Sequence, residues 1–404
     1  MSANISEAGR RGSSVRSDIW IRLEVREKGG IEFDFSSKVE VLYGASTRQL
    51  LKDGLRHFGI EHAELIVEDQ GALPFVIMAR LEAAVCRAMP ISEHKDWLPQ
   101  PCSEISASDP RSPRRSRLYL PGNEPKYMIN APLHSPDGII LDLEDSVAQS
   151  EKDAARVLVR NALISLDFGD CERIVRINQG ARGLDDLESI IPHGVQLVLV
   201  PKVEDSETVN GVVKKIDEIK KKSNLNSPVW LMPIIESAKG AWFAYDIASA
   251  HETVVALAVG LEDYTADIGV ERTNEGKESF WARSQVVNAA RAAGVQPIDT
   301  VFSDLADMVA LEASVIEAKS LGFEGKGCIH PRQIDVVHRG FAPTDNEIER
   351  AMKITLAFEK AEKEGSGVVS LGRKMIDPPV VKRATRVIRQ AEEEGLISSD
   401  WRNN

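Results

Sequence analysis

A chain of 404 residues with a formal net charge of −12 is too long for one small domain and too acidic for a nucleic-acid binder. Its hydrophobic content of 43% supports a large core, yet no run approaches the roughly 20 apolar residues that span a bilayer, and the Arg/Ser-rich start lacks the apolar segment of a secretory signal. Cys86, Cys102, Cys171 and Cys328 are scattered without Cys-x-x-Cys spacing, which argues against a zinc site or disulfide framework and for a reducing, cytoplasmic setting.

Alternation at Ile19-Trp20-Ile21-Arg22-Leu23 and at Ile31-Glu32-Phe33-Asp34-Phe35 predicts two half-buried strands. Leu50, Leu51, Leu55 and Phe58 fall about a turn apart and predict a helix. A strand over 63–68, a turn at Asp69-Gln70-Gly71-Ala72 and a helix over 75–89 complete a small α+β domain, residues 1–88. Pro90, Pro99, Pro101, Pro110 and Pro113 among polar residues mark 89–113 as a linker. The region from Arg114 onward is therefore expected to fold without residues 1–88.

Eight short apolar runs follow, alternating with helical segments: Leu118-Tyr119-Leu120, then 138–143, 174–177, 197–201, 230–235, 254–259, 298–302 and 327–330. Several are apolar throughout, as strands buried on both faces require. Eight strand-helix units predict an α/β fold of the (β/α)8 TIM-barrel type over 114–340, with an open doubly wound sheet as the competitor. Residues 341–404 read as a helical extension, with helices over 348–364 and 380–395, expected to pack between subunits because a closed barrel does not need them.

Polar residues gather at the C-terminal ends of these strands, where barrel enzymes place their chemistry. Glu236 and Asp263 end the fifth and sixth; two carboxylates without Cys or His partners favour Mg²⁺. The alternative is that each is a first-turn acid favoured by a helix dipole. Arg176 ends the third and can hold a substrate carboxylate bidentately, or form a structural pair with Glu144 or Asp145. Those two acids would then hold metal-bound water or orient Arg176. Tyr119 and Lys126 join them as candidate substrate- or CoA-binding residues, Lys126 alternatively being solvated surface. His330, before Pro331, is a weaker candidate with a structural reading beside it.

The strings 115–126 (RSRLYLPGNEPK), 141–152 (LDLEDSVAQSEK), 176–178 (RIN), 201–204 (PKVE), 234–240 (IIESAKG), 260–269 (GLEDYTADIG) and 322–334 (GFEGKGCIHPRQI) together resemble the citrate lyase β-subunit family. This family belongs to the aldolase superfamily that also contains malyl-CoA and citramalyl-CoA lyases. The resemblance implies a barrel assembled as a homotrimer or dimer of trimers, Mg²⁺ at Glu236 and Asp263, and Arg176 on the substrate. It also implies that Asp377, in Met375-Ile376-Asp377-Pro378, serves the active site of a neighbouring subunit. Residues 12–88 resemble the citrate lyase γ-subunit, an acyl carrier protein. That likeness implies a phosphoribosyl-dephospho-CoA arm on a serine. The ungapped match places Arg16 at the serine position, with Ser17 one residue away and Ser14 two.

The expected function is Mg²⁺-dependent retro-Claisen cleavage of a citryl thioester, carrier- or CoA-linked, to oxaloacetate and an acetyl thioester. Malyl-CoA or citramalyl-CoA cleavage is the alternative, and a non-catalytic scaffold in a lyase complex is the reading from another class. The partners implied are the thioester itself, further copies of the chain and an acyl-transferase subunit, with no nucleic acid and no membrane.

Overall fold

The computed structural model describes residues 4–89, 96–102, 106–363, 369–371 and 374–403, which form two compact units, Met1–Val337 and His338–Asn404. The first unit opens with a four-stranded sheet. Its strands are β1 (Ile5–Ala8), β2 (Ile19–Val25), β3 (Ile31–Ser37) and β4 (Ala63–Asp69), in the order β1-β2-β4-β3. Helix α1 (Glu40–His57) connects β3 to β4, and α2 (Pro74–Ala88) follows β4. Pro74 suits a first helical turn, where its missing N–H costs no bond. Strand β1 was not legible in the sequence, because four residues with two polar positions carry too little alternation.

Strands β5 (Ser116–Pro121), β6 (Gly138–Asp142), β7 (Glu172–Arg176), β8 (Leu197–Val200), β9 (Trp230–Ile235), β10 (Ala256–Val259), β11 (Gln296–Asp299) and β12 (Gly325–Cys328) form a closed parallel barrel. It closes through β12 against β5, with Cys328 opposite Leu118. Helices α3 (Pro125–Asn130), α4 (Lys152–Ser165), α5 (Gly180–Ile190), α6 (Ser206–Lys222), α7 (Ala238–Trp242), α8 (Ala244–Ala248), α9 (Leu261–Asp267), α10 (Phe280–Ala293) and α11 (Met308–Leu321) connect the strands. Ile140, Ile174, Leu199, Met232, Ile234 and Ile298 fill the interior, which makes it a packed core rather than a pore.

The two last strands begin and end earlier than their apolar runs. In β11, Pro297 sits near the strand start, where a missing donor is tolerated, and Thr300 to Phe302 have already left the ladder. After β12, His330 caps the turn Pro331–Gln333 by accepting from the Arg332 N–H at 3.1 Å. That capping bond is the kind of contact its structural reading expects.

The first sheet is joined to the barrel by buried contacts. Helix α2 is buried nearly all round because it lies between its own sheet and barrel helix α4. Arg160 of α4 donates to both Glu82 oxygens, at 2.8 and 2.7 Å, with side-chain exposures of 3% and 0%. Asn161 donates to the Phe75 carbonyl at 3.2 Å. Arg80 pairs with buried Asp18 at 3.0 and 2.9 Å and also reaches the Asn123 carbonyl, in the loop after β5. Even the described part of the Pro-rich segment is pinned: Trp97 N–H reaches Glu82, and Trp230 Nε1 donates to the Ser108 carbonyl.

The second unit begins within α12 (Ile334–Phe341). It packs α13 (Asp345–Lys363) against α14 (Pro378–Glu393), with a hairpin of β13 (Val369–Leu371) and β14 (Lys374–Ile376) between them in sequence. Ala351, Ile354, Ile376, Ala384, Ile388 and Trp401 form its own core. Among the described residues, no helix is long and apolar enough to cross a membrane.

Candidate active site

The C-terminal strand ends surround a cavity of about 350 Å³ whose lining includes Arg117, Tyr119, Asp142, Arg176, Glu236 and Asp263. Arg176, the last residue of β7, donates from Nε and Nη2 to the two oxygens of Asp142, the last residue of β6, both at 2.6 Å. These residues face each other in the sheet register, so the fork is fixed by strand pairing. Burial opposes the Asp142 charge, but the Arg176 bonds outweigh it and hold the carboxyl below its usual range. Arg176 Nη1 also lies 3.1 Å from Glu144 Oε2 and 3.9 Å from Asp145. Its guanidinium sits 5.4 Å from the centre of the Tyr119 ring. Arg176 is thus a paired residue that also lines the cavity, and its principal partner is Asp142 rather than Glu144 or Asp145.

Glu236 follows β9, is buried, and accepts the Lys202 backbone N–H at 3.0 Å. Burial and the neighbouring Glu144 charge push its carboxyl up to about 7. Lys202 adopts φ +50, which costs a non-glycine residue about 1–3 kcal/mol. That conformation lets its N–H serve Glu236 while its Nζ lies 3.4 Å from Asp263 and 3.6 Å from Glu144 and Asp145. Gly260 explains the tight fit of Glu236: a Cβ there would fall on Oε1 and within 2.8 Å of Cγ. Asp263 lies in the first turn of α9, partly exposed, so its helix-dipole reading and its ligand reading coexist.

These residues fit a hard divalent cation. Three carboxylates, Glu236, Glu144 and Asp263, interact electrostatically at one end of the cavity. One buried oxygen, Glu144 Oε2, meets no donor in hydrogen-bond alignment among the described residues, although Arg176 is near it. No cluster of three His, Cys, Asp or Glu poised to ligate a metal exists among the described residues. Two carboxylates, with the remaining positions left to water and substrate, match the habit of Mg²⁺.

The other sequence candidates of the first unit, Lys126, Ser14 and Ser17, are not among the cavity-lining residues. Lys126, on α3, is 3.4 Å from Glu124 and rests over the Tyr127 ring at 4.6 Å. Ser14 is exposed and Ser17, at φ +56, donates its N–H to the Gln70 carbonyl; both lie in the connection between β1 and β2. Arg10 of that connection pairs with Glu124, which brings the first sheet to the loop after β5. Asp377 belongs to the second unit, where it caps α14 by accepting from the Val380 N–H at 3.2 Å. Asp142, Lys202, Gly260 and Arg117 were not singled out by the sequence. Asp142 had a signal, the acid-rich end of 138–143; the others become visible only once the strands are paired.

Comparison with known proteins agrees with this geometry. Residues 115–331 match the family HpcH/HpaI aldolase/citrate lyase. Residues 7–88 match an acyl-carrier family described as malonate decarboxylase delta subunit. Citrate lyase subunit beta of Escherichia coli (strain K12) is 40% identical over 286 residues, covering 70% of this chain and 95% of that protein. Mitochondrial citramalyl-CoA lyase of Rattus norvegicus is 33% identical over 341 residues, covering 80% and 96%. Protein CitE of Mycobacterium tuberculosis, solved with magnesium, acetoacetate and coenzyme A, superimposes with a TM-score of 0.58 at 30% identity, covering 70% of this chain and 99% of that one.

Proposed function

Because this chain belongs to the HpcH/HpaI aldolase/citrate lyase family, we propose that it is a Mg²⁺-dependent carbon–carbon lyase that cleaves a citryl thioester, carried on CoA or on an acyl carrier, to oxaloacetate and an acetyl thioester. The observation that carries this reading is the pairing of a fixed guanidinium, Arg176, with an under-neutralised carboxylate group, Glu236 and Asp263, across one cavity. Glu236 and Asp263 would hold the cation, with Glu144 and Asp145 available to its waters. Bound there, it supplies Lewis acidity for charge that develops on the keto-acid oxygen.

Arg176 binds and orients a substrate carboxylate through its guanidinium. Tyr119, whose ring centre lies 5.4 Å from that guanidinium, lines the cavity beside it. The substrate hydroxyl loses its proton, the C–C bond breaks to form the ketone, and the electron pair passes into the thioester enolate. Asp377, delivered by a neighbouring subunit of a homotrimer or dimer of trimers, gives the enolate carbon a proton. One proton leaves oxygen and one arrives at carbon, so the reaction is neutral in protons. Lys126 meets the phosphates of the thioester cofactor at the rim. Ser17 or Ser14 would carry a phosphoribosyl-dephospho-CoA arm, and an acyl-transferase subunit would charge it in the cytoplasm.

Cleavage of malyl-CoA or citramalyl-CoA is the second reading, favoured by Arg16 at the carrier-serine position. The test is turnover of each thioester with Mg²⁺, after chelation, and in Glu236→Gln and Asp263→Asn. Activity that survives chelation or either substitution would overturn the metal assignment.

A further inference from the structure

Arg117 is a charged side chain with no evident business where it stands. It sits on β5 two residues below Tyr119, on the same face of the strand, farther from the mouth than Pro121. It is 1% exposed and lines the cavity. Its polar contacts are weak: Nη1 lies 3.1 Å from Met232 Sδ, and Nη2 lies 3.4 Å from the Asp299 backbone carbonyl. Nε has no hydrogen-bond partner, and no carboxylate pairs with Arg117, among the described residues. Asp299, the acid whose charge acts on Arg117, is already taken by Arg283 at 3.0 Å and by Lys326 at 2.8 Å. Burial works against the Arg117 charge and draws its pKa down.

A buried guanidinium without an anion is unfavourable. Packing does not require it, since an unbranched apolar side chain beside Met232 would fill the same space. The cavity is therefore lined by two guanidiniums, Arg176 and Arg117. Arg176 has Asp142 and Glu144 beside it, whereas Arg117 has no carboxylate partner among the described residues.

The alternative thioesters differ at one place. The hydroxyl-bearing carbon carries a carboxylate in all of them, and its remaining substituent is hydrogen in malyl, methyl in citramalyl and carboxymethyl in citryl. We propose that Arg117 is the specificity-determining residue, binding a second substrate carboxylate at the cavity floor and selecting a citryl thioester, and its product oxaloacetate, over the monocarboxylate homologues. This deepens the lyase reading and rests on it for the identity of the thioester. The site chemistry itself is narrower: a C4 keto-diacid is held at one carboxylate by Arg176 and at the other by Arg117. A hydrogen-bonding charge at the floor also disfavours a methyl group there, because the methyl leaves the guanidinium buried and unpaired.

The experiment measures binding of oxaloacetate and of pyruvate to the full-length protein by calorimetry in Mg²⁺ buffer, for wild type, Arg117→Met and Arg117→Lys. Cleavage of citryl-CoA and citramalyl-CoA is followed in parallel. Wild type is expected to prefer oxaloacetate by at least about tenfold. Arg117→Met is expected to lose that preference while pyruvate affinity stays within about twofold, and Arg117→Lys to fall between. The melting temperature of Arg117→Met should be equal to or above wild type, an outcome that a structural role for Arg117 does not give. An unchanged oxaloacetate-to-pyruvate ratio in Arg117→Met, equal loss of both ligands, or no wild-type preference overturns the proposal. If Arg117→Met does not fold, the wild-type preference and its selective weakening in Arg117→Lys decide the matter. Failure of the lyase reading looks different: neither thioester is cleaved, while the Arg117-dependent preference for oxaloacetate persists.

Discussion

The Glu82–Arg160 pair joins the first sheet to the barrel, and its removal one residue at a time gives a measurable energy. Both side chains are essentially buried, at 0% and 3% exposure, and they share two hydrogen bonds of 2.8 and 2.7 Å. Removing one member of such a pair leaves an uncompensated buried charge, worth about 3–5 kcal/mol. Glu82→Gln belongs at the low end of that range, because Arg160 retains Asp96 at 2.8 Å and Asn161 Oδ1 at 2.8 Å. Arg160→Met belongs at the high end, because it strands the Glu82 carboxylate. The double variant Glu82→Met/Arg160→Met replaces charge with apolar volume and is expected within about 1 kcal/mol of wild type. With Glu82→Met as the matching single variant, also costing at least about 3 kcal/mol, the singles sum to about 8 kcal/mol and the coupling in the cycle is about 7 kcal/mol. Urea unfolding of the full chain, followed by tryptophan fluorescence, reads it through Trp20 and Trp97. Single losses below about 1 kcal/mol that simply add would refute the reasoning. By the same argument, deletion of residues 1–88 should yield an unstable or insoluble barrel, since it uncovers the α4 face that α2 buries.

Gly260→Ala is expected to displace the Glu236 carboxylate and weaken Mg²⁺ binding at least about tenfold, as loss of a positioning contact does; titration calorimetry with an unchanged circular dichroism spectrum checks it, and wild-type affinity contradicts it. His193 is pushed down to about 4 by burial, with the Arg160 charge adding to the effect against Asp96 and Glu82. The unfolded chain then binds the proton first, so stability falls as pH drops from about 6.5 to about 4, by roughly 3 kcal/mol. His193→Gln should flatten that slope relative to wild type in urea titrations at each pH, and parallel slopes would refute it. Mixing Asp377→Ala with Glu236→Ala under subunit exchange is expected to restore part of the activity, because some sites then combine Glu236 of one chain with Asp377 of another. Confirmed exchange without recovery, or a fully active Asp377→Ala, removes Asp377 from the mechanism.

The barrel was legible because parallel strands covered on both faces must be apolar runs, and β6, β8 and β9 are such runs. The same cue misplaced the bounds of β11 and β12, where Val301-Phe302 and Ile329 are apolar outside the ladder and Gly325-Lys326 lie inside it. Carboxylates and Arg176 at strand ends were readable from position alone. Their partners were not: Asp142 reaches Arg176 from the adjacent strand, and Lys202 serves Glu236 only through its left-handed backbone. Arg117 reads in sequence as the last of a polar stretch, Arg114-Arg115-Ser116-Arg117, before the apolar run begins at Leu118, and only closure of the barrel turns it toward the cavity. Sequence also read the prolines of 89–113 as a separator, whereas the apolar all-round composition of α2 was the better guide to its double burial.

Lysis of a citryl thioester at the Arg176–Glu236–Asp263 site is the proposed activity. The most direct measurement is mass-spectrometric identification of products after incubating citryl-CoA with the full-length protein and Mg²⁺, alongside Glu236→Gln. Stoichiometric acetyl-CoA and oxaloacetate from wild type, with neither formed by Glu236→Gln or after chelation, is the expected result. Intact citryl-CoA with the wild-type protein, or equal product from Glu236→Gln, would contradict it.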